Sequence, residues 1–221
     1  MTSHTSADSH YTFGEELANS ITHGIGILFS ISGLGVLTAF ASVFGSVWHI
    51  VSCSIYGTTM ILLYTASTLY HSIPLQKAKR VLRKIDHISI FLLIAGTYTP
   101  LTLVSLRGPW GWSLFGTIWG LAVVGIVLEI FLPKKKRYVI VGLYVAMGWT
   151  IIVAVKPMLS VVEPGGLWLL LAGGLCYTLG IPFYIWKSLP FHHAIWHLFV
   201  LAGTVLQFFS ILLYVVPVLT G

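Results

Sequence analysis

Charged residues are scarce in this sequence of 221 residues: Asp, Glu, Lys and Arg make up 8% of it, whereas hydrophobic residues make up 57%. A water-soluble protein of this length could not keep so much apolar surface away from water. The only two cysteines, Cys53 and Cys176, lie within apolar segments, so no disulfide framework is expected. The composition therefore predicts a polytopic α-helical membrane protein.

Acidic residues are the scarcer of the charged groups, with six Asp and Glu against twelve Lys and Arg. The positive charges are concentrated in short runs beside hydrophobic segments, mainly at residues 77–84 and 134–137. Short runs in this position are typical of topology signals and of contacts with anionic lipids. We therefore expect membrane lipids as partners and no binding of nucleic acid.

Seven stretches are apolar enough and long enough to cross a membrane, which takes about 20 residues per helix. They predict an all-α fold in which residues 16–221 form one bundle of seven transmembrane helices after a flexible tail of residues 1–15. Pro100 and Pro182 lie within the third and sixth spans and are expected to kink them. The predicted spans are Leu17–Phe44, Trp48–Tyr70, the stretch from after Asp86 to Leu106, Trp110–Leu132, Tyr138–Val155, Leu167–Trp186 and His192–Val218.

The positive charges also predict the orientation of these spans. Ten of the twelve Lys and Arg fall on the side that holds the N-terminus, and only Arg107 and Lys156 fall on the other side. By the positive-inside rule, the N-terminus and its tail are then cytoplasmic and the C-terminus is outside.

Two histidines one helical turn apart lie at the start of the last predicted span. His193 and His197 are four residues apart, a spacing that places both imidazoles on one face of a helix. Two neutral imidazoles placed in this way can bind one metal ion. We expect Ser188 to cap this helix and Pro190 to lie in its first turn. Polar groups at the edge of a membrane span need partners from other helices.

Under the predicted topology, such partners reach the same edge of the membrane. His71 ends the second span, Ser67 lies one turn before it, and Asp86 precedes the third span. Three histidines with a carboxylate favour zinc, whose catalytic sites keep three protein ligands and one position for water. We expect His71, His193 and His197 to bind zinc. Asp86 would hold the metal-bound water, made acidic by the ion, and Ser67 would orient His71 or polarise a substrate carbonyl.

A less specific interpretation is that these polar groups only hydrogen-bond the helices to one another at the level of the lipid headgroups. We expect that role for Asn19 and His23, which lie one turn apart near the start of the first span. His87 and His192 are expected to face solvent or headgroups. Glu129 is expected to be the counter-ion of the basic run that follows it.

In combination, these motifs resemble the hemolysin III family, the bacterial branch of the progestin and adiponectin receptor superfamily. The matching motifs are Glu16-x-x-Asn19, Ser67-Thr-Leu-Tyr-His71, Asp86 and His193-Ala-Ile-Trp-His197, within a resemblance that extends from Glu15 to Val216. The resemblance implies a seven-helix bundle in the bacterial plasma (inner) membrane, with a cytoplasmic N-terminus. It also implies zinc held by the three histidines, with Asp86 facing the zinc-bound water and Ser67 close by.

The resemblance further implies a function in lipid chemistry, because receptor members of the superfamily and the related alkaline ceramidases point to hydrolysis of a lipid amide. We expect a zinc-dependent hydrolase that acts on a membrane lipid amide or ester, takes its substrate from the bilayer and contributes to lipid homeostasis. One alternative is a membrane-perturbing or pore-forming hemolysin-like protein, and another is a non-enzymatic sensor of membrane state, each with a structural zinc. The polar residues cluster at one membrane edge rather than along a whole span, which argues against an aqueous pore.

Overall fold

The computed structural model of the protein describes residues 11–133 and 136–216. Within these ranges the chain is all-helical, and seven of its helical segments are long and apolar enough to cross a membrane. The predicted all-α fold with seven spans is confirmed, and the chain is a multi-pass membrane protein. The helices are α1 (Phe13–Phe44), α2 (Val47–Ser72), α3 (Gln76–Pro100), α4 (Pro109–Phe131), α5 (Arg137–Trp149), α6 (Val155–Val161), α7 (Pro164–Ile185) and α8 (His192–Tyr214).

The fifth span, Arg137–Val161, combines two short helices. α5 and α6 are joined by a 3-10 turn, Thr150–Ala154, so the helical path continues across the membrane. The span therefore extends six residues beyond Val155, where the sequence placed its end. Lys156 accordingly lies in a helix and not in a loop.

Large apolar side chains cover the outside of the bundle as well as its core. Leu28 on α1 is 69% exposed and Phe131 at the end of α4 is 79% exposed, whereas Tyr56 and Phe91 are fully buried. This pattern suits a lipid environment, which favours apolar surface and requires every backbone polar group to be satisfied within a helix. The helices therefore differ from those of a soluble bundle on their outer face.

The third span begins well before the position predicted from hydropathy. α3 starts at Gln76, so the basic run at residues 77–84 forms its first turns and does not form a loop. Lys and Arg are good helix formers, and a helix can continue beyond the apolar stretch that hydropathy detects. Asp86 consequently lies about three turns inside the helix.

The first helix also begins earlier than predicted. Thr12 caps α1 in a capping box: the backbone N–H of Glu15 donates to Oγ1 of Thr12, and Oε2 of Glu15 accepts the backbone N–H of Thr12 at 2.8 Å. Residues 13–15, which we assigned to the flexible tail, therefore belong to the helix. Residues 1–10, Lys134, Lys135 and the predicted end of the last span at Val218 lie outside the described residues.

The two prolines expected to kink their helices lie in different local structures. Directly after Pro100, α3 passes into a π-helical segment, Leu101–Ser105, in which Leu106 donates to the carbonyl of Leu101 at 2.8 Å. Pro182 lies inside α7, which continues to Ile185. Proline removes one backbone donor, and the change to wider hydrogen bonding after Pro100 is a known way to accommodate that loss.

Seven alternating spans bring four helix starts and three helix ends to one end of the bundle, which we call the site face. It comprises the starts of α1, α3, α5 and α8 and the ends of α2, α4 and α7. Glu16 at the start of α1 joins three of these helices, because its carboxylate contacts His71 on α2 and Lys79 on α3 at 2.6 Å each. The polar residues singled out in the sequence lie at this face.

Candidate metal centre

Three buried histidines from α2 and α8 meet at the site face. His71, His193 and His197 are 3%, 7% and 1% exposed. One ring nitrogen from each lies within 4.8 Å of those of the other two. The ring centroids of His193 and His197 are 4.5 Å apart, as their one-turn spacing predicted, and each lies 5.1 Å from that of His71. The cluster could hold a metal ion.

The orientation of His71 is set by Glu16. Nδ1 of His71 lies 2.6 Å from Oε2 of Glu16, and since a carboxylate only accepts hydrogen bonds, this nitrogen carries the proton. The lone pair is then on Nε2, which is buried and has no hydrogen-bond partner among the described residues. A carboxylate on one imidazole nitrogen with the other nitrogen free is the usual arrangement of a metal-binding histidine.

His197 is oriented by the same helix, α1. Its Nδ1 lies 3.3 Å from the backbone carbonyl of Asn19 and 3.2 Å from the hydroxyl of Thr22. Because a carbonyl only accepts, Nδ1 is the protonated nitrogen and Nε2 keeps its lone pair. Glu16 and Asn19 therefore position one histidine on α2 and one on α8.

The unsatisfied atoms of the cluster fit a bound metal ion. Besides Nε2 of His71, Nδ1 of His193 is buried without a hydrogen-bond partner in the described part of the chain. Buried polar atoms without partners are costly, and neutral imidazoles are typical ligands of zinc and other transition metals. The residues present thus match the donor set that the sequence predicted.

Ser67 and Asp86 line the same cavity as His193 and His197. The hydroxyl of Ser67 is buried and has no partner among the described residues, so it is free to bind another group. Asp86 is 7% exposed, and its Oδ2 lies 4.0 Å from Nε2 of the adjacent His87. The cavity, of about 130 Å³, therefore combines two of the histidines with a hydroxyl and a carboxylate.

The cavity extends from the histidines into the interior of the bundle. Along α8 it is lined from His193 to Gln207, a distance of about 21 Å at 1.5 Å per residue. Most of the remaining lining is apolar and comes from α3, α5 and α7, including Leu93, Val141 and Ile181. The polar end lies at the site face and the apolar part lies deeper in the membrane span.

Tyr11 covers the histidines at the site face. Its ring stacks on His193 with centroids 5.2 Å apart, and it lies 5.6 Å from the ring of His192 and 5.9 Å from that of His71. Burial raises the pKa of the Tyr11 hydroxyl, so this side chain is neutral. The sequence placed Tyr11 in a loose tail and gave no sign of this contact.

His23 lies closer to the site than its expected role in helix packing implied. It is 3% exposed, lines the cavity and stacks on His197 with ring centroids 3.5 Å apart. Both of its ring nitrogens lack hydrogen-bond partners among the described residues. It also meets the edge of Tyr64 at 5.0 Å, so it does help to pack α1 against α2.

The start of α8 differs from the prediction. The helix begins at His192, and its N-cap is Phe191, with a φ of 56° in the left-handed region. The backbone N–H of Phe191 donates to Oε1 of Glu15 at 3.1 Å, which ties α8 to α1. Ser188 does not cap the helix, since its hydroxyl accepts from an indole N–H.

The expectation that His192 faces headgroups is wrong: it is 3% exposed and bonded to a backbone carbonyl.

A polar cluster that the sequence did not predict lies beside Asp86. Nδ1 of His87 is 3.0 Å from Oε1 of Glu129, and the guanidinium of Arg137 contacts the His87 ring and lies 3.7 Å from the same carboxylate oxygen. His87 is thus buried rather than facing headgroups. Glu129 contacts Arg137, the last residue of the basic run that follows it, and also His87 on α3, which the sequence did not predict. The only indication of this pairing in the sequence was that charged residues are rare within membrane spans and need partners there.

The chain is similar to known proteins over most of its length. Residues 11–208 match the family described as Haemolysin-III related. The chain is 50% identical over 208 residues to the Hemolysin-3 homolog of Bacillus subtilis (strain 168), covering 94% of this chain and 98% of that protein. It is 49% identical over 203 residues to Hemolysin-3 of Bacillus cereus, covering 92% and 93%. It is 30% identical over 210 residues to the Monocyte to macrophage differentiation factor of Homo sapiens, covering 90% and 84%.

Proposed function

The chain belongs to the hemolysin III family of the progestin and adiponectin receptor superfamily, and on that premise we propose that it is a zinc-dependent hydrolase of the bacterial plasma membrane. Its substrate would be a membrane lipid with an amide or ester bond, and its role would be in membrane lipid homeostasis. The observation that carries this proposal is the shared cavity, which is lined by two of the three clustered histidines, by Asp86, by the unsatisfied hydroxyl of Ser67 and by an apolar channel.

In this proposal His71, His193 and His197 hold the zinc ion. When bound, zinc supplies Lewis acidity and lowers the pKa of a bound water to about 7. Glu16 keeps the lone pair of His71 on Nε2 and makes the imidazole a better electron donor.

Asp86 is the residue we expect to move the proton. Its carboxylate lines the cavity and would accept a proton as the scissile carbonyl is attacked, then return it to the leaving group. Ser67, whose hydroxyl has no partner in the described part of the chain, would donate to the substrate carbonyl oxygen. These are the roles of a general base and of a group that stabilises developing negative charge.

The shape of the cavity supports a lipid as the substrate. An acyl chain would occupy the apolar channel along α8, and the amide or ester bond would lie at the polar end near the histidines. Tyr11 would limit the entry of water at the site face. The lipid would then enter from the bilayer between helices.

The test is the Asp86→Asn variant, studied in purified protein and by lipid analysis of membranes with and without the protein. Asparagine keeps the size of the side chain but cannot take up the proton, so we expect unchanged metal content and melting temperature with activity reduced on the order of 10²-fold or more. Glu163→Gln, which removes an exposed carboxylate before α7, is the matched control. Normal function in folded Asp86→Asn protein would reject the hydrolase and favour a membrane-perturbing protein or a sensor with a structural zinc.

A further inference from the structure

A second cavity opens at the site face, on the other side of the His87 cluster from the histidines. It has a volume of about 230 Å³ and lies between the first turns of α3, the end of α4 and the start of α5. Its charged lining consists of Arg83 and Lys84 on α3, Glu129 on α4 and Arg137 on α5. The rest of its lining is apolar and includes Ile130 and Ile140.

The charges of this cavity leave a net positive site. Its one carboxylate, Glu129, already has His87 at 3.0 Å and Arg137 at 3.7 Å. Among the described residues neither Arg83 nor Lys84 forms an ion pair with a carboxylate. Arg83 interacts with Glu129 only over a longer distance, and Lys84 donates to the backbone carbonyl of Ile130 at 3.3 Å. Two cations at a membrane edge are therefore available to an anion from outside the chain.

We propose that this cavity binds the phosphate group of an anionic membrane lipid. Lys and Arg side chains are the usual ligands of phosphate, and juxtamembrane basic residues attract anionic headgroups. The apolar side chains Ile130 and Ile140 in the same lining suit the glycerol and first acyl carbons of a lipid. Free phosphate is also an anion but would gain nothing from this apolar surface.

The site is separate from the proposed hydrolytic centre, because Arg83 and Lys84 do not line the histidine cavity. The two cavities share only the wall formed by the cluster of His87, Glu129 and Arg137. Lipid binding can therefore be measured without any assay of hydrolysis, and its failure would leave the proposed function untouched.

The experiment is native mass spectrometry of the full-length protein in detergent with added dioleoyl phosphatidylglycerol, dioleoyl phosphatidylcholine or inorganic phosphate. The site variant is Arg83→Gln with Lys84→Gln. The control variant is Lys77→Gln with Arg80→Gln, which removes the same charge from exposed positions of the same helix outside both cavities. We expect the site variant to bind phosphatidylglycerol about tenfold or more weakly and the control to bind it like the unaltered protein.

The arms of the experiment separate the two sources of phosphate. If the unaltered protein and the control variant retain phosphatidylglycerol and the site variant loses it, the proposal is supported with a lipid as the ligand. If instead only the site variant loses inorganic phosphate, and none of the proteins prefers either lipid, the cavity is a phosphate site that takes the free anion. Equal loss in both variants, or no retention of either ligand, overturns the proposal. Melting temperatures of both variants show whether a loss comes from unfolding.

Discussion

Oε2 of Glu16 accepts a hydrogen bond from Nδ1 of His71 at 2.6 Å, although the two residues are 55 positions apart and lie on different helices. The other carboxylate oxygen of Glu16 pairs with Lys79 at 2.6 Å. One side chain thus fixes the free nitrogen of a metal-ligand candidate and links α1, α2 and α3. The side chains of both residues in the Glu-x-x-Asn motif reach His71, since Nδ2 of Asn19 lies 3.4 Å from Nδ1 of His71.

The Glu16→Gln variant tests this relationship. An amide is a weaker acceptor than a carboxylate and no longer favours the Nδ1 tautomer of His71, so we expect zinc affinity to fall about 10- to 100-fold. Competition with a chelator measures the affinity, and Glu163→Gln serves as the control because its carboxylate is exposed and remote from the cluster. Unchanged zinc affinity in the Glu16→Gln protein would mean that this hydrogen bond does not prepare the site.

Metal content is the most direct test of the histidine cluster. We expect about one zinc ion per chain in the purified protein and loss of most of it when His193 and His197 are both changed to alanine. His49→Ala is the control, because this histidine lies at the opposite end of α2 and bonds to Ser46. Elemental analysis that finds full zinc content in the double variant would end the assignment of these two residues as ligands.

Substitution by alanine is expected to affect the stability of the protein differently at two glycines of α1. A Cβ atom at Gly26 would lie 2.3 Å from the ring of Tyr64, which is held in place by its hydrogen bond to Thr204 at 2.8 Å. Gly26→Ala should therefore lower the free energy of unfolding by about 1–3 kcal/mol.

At Gly24 a Cβ atom would meet nothing within 4 Å. Gly24→Ala should therefore leave stability unchanged or raise it by up to about 1 kcal/mol, because alanine favours the helix. Unfolding of both purified variants in the same detergent measures the difference. A Gly26→Ala protein as stable as the Gly24→Ala protein would show that Tyr64 moves aside easily.

The orientation of the bundle in the membrane stays a prediction from charge. Because seven is an odd number of spans, we expect the start of α1 and the end of α8 to lie on opposite sides of the membrane. We expect a reporter fused after Gly221 to lie outside the cytoplasm and one inserted at Lys135, between α4 and α5, to lie inside it. A cytoplasmic signal from the C-terminal fusion would reverse the orientation.

The positions where prediction and structure differ have a common physical cause. Hydropathy placed the start of the third span after Asp86 because the preceding residues are charged, but Lys and Arg extend α3 back to Gln76. His87 was assigned to solvent or headgroups, and Glu129 to the basic run that follows it, because each was judged by its sequence neighbours. Their partner Arg137 follows on the next span, and burial of the three together satisfies charges that would be costly alone.

The sequence by itself determined the all-α class, the number of spans and the common helix face of His193 and His197, because hydropathy and the 3.6-residue helical repeat are local properties of the chain. Only the tertiary structure decided which nitrogen of His71 is free, that Tyr11 covers the histidines and that a basic cavity lies at the start of α3. These features arise between side chains on different helices. Their geometry depends on how the helices pack, which no local pattern in the sequence specifies.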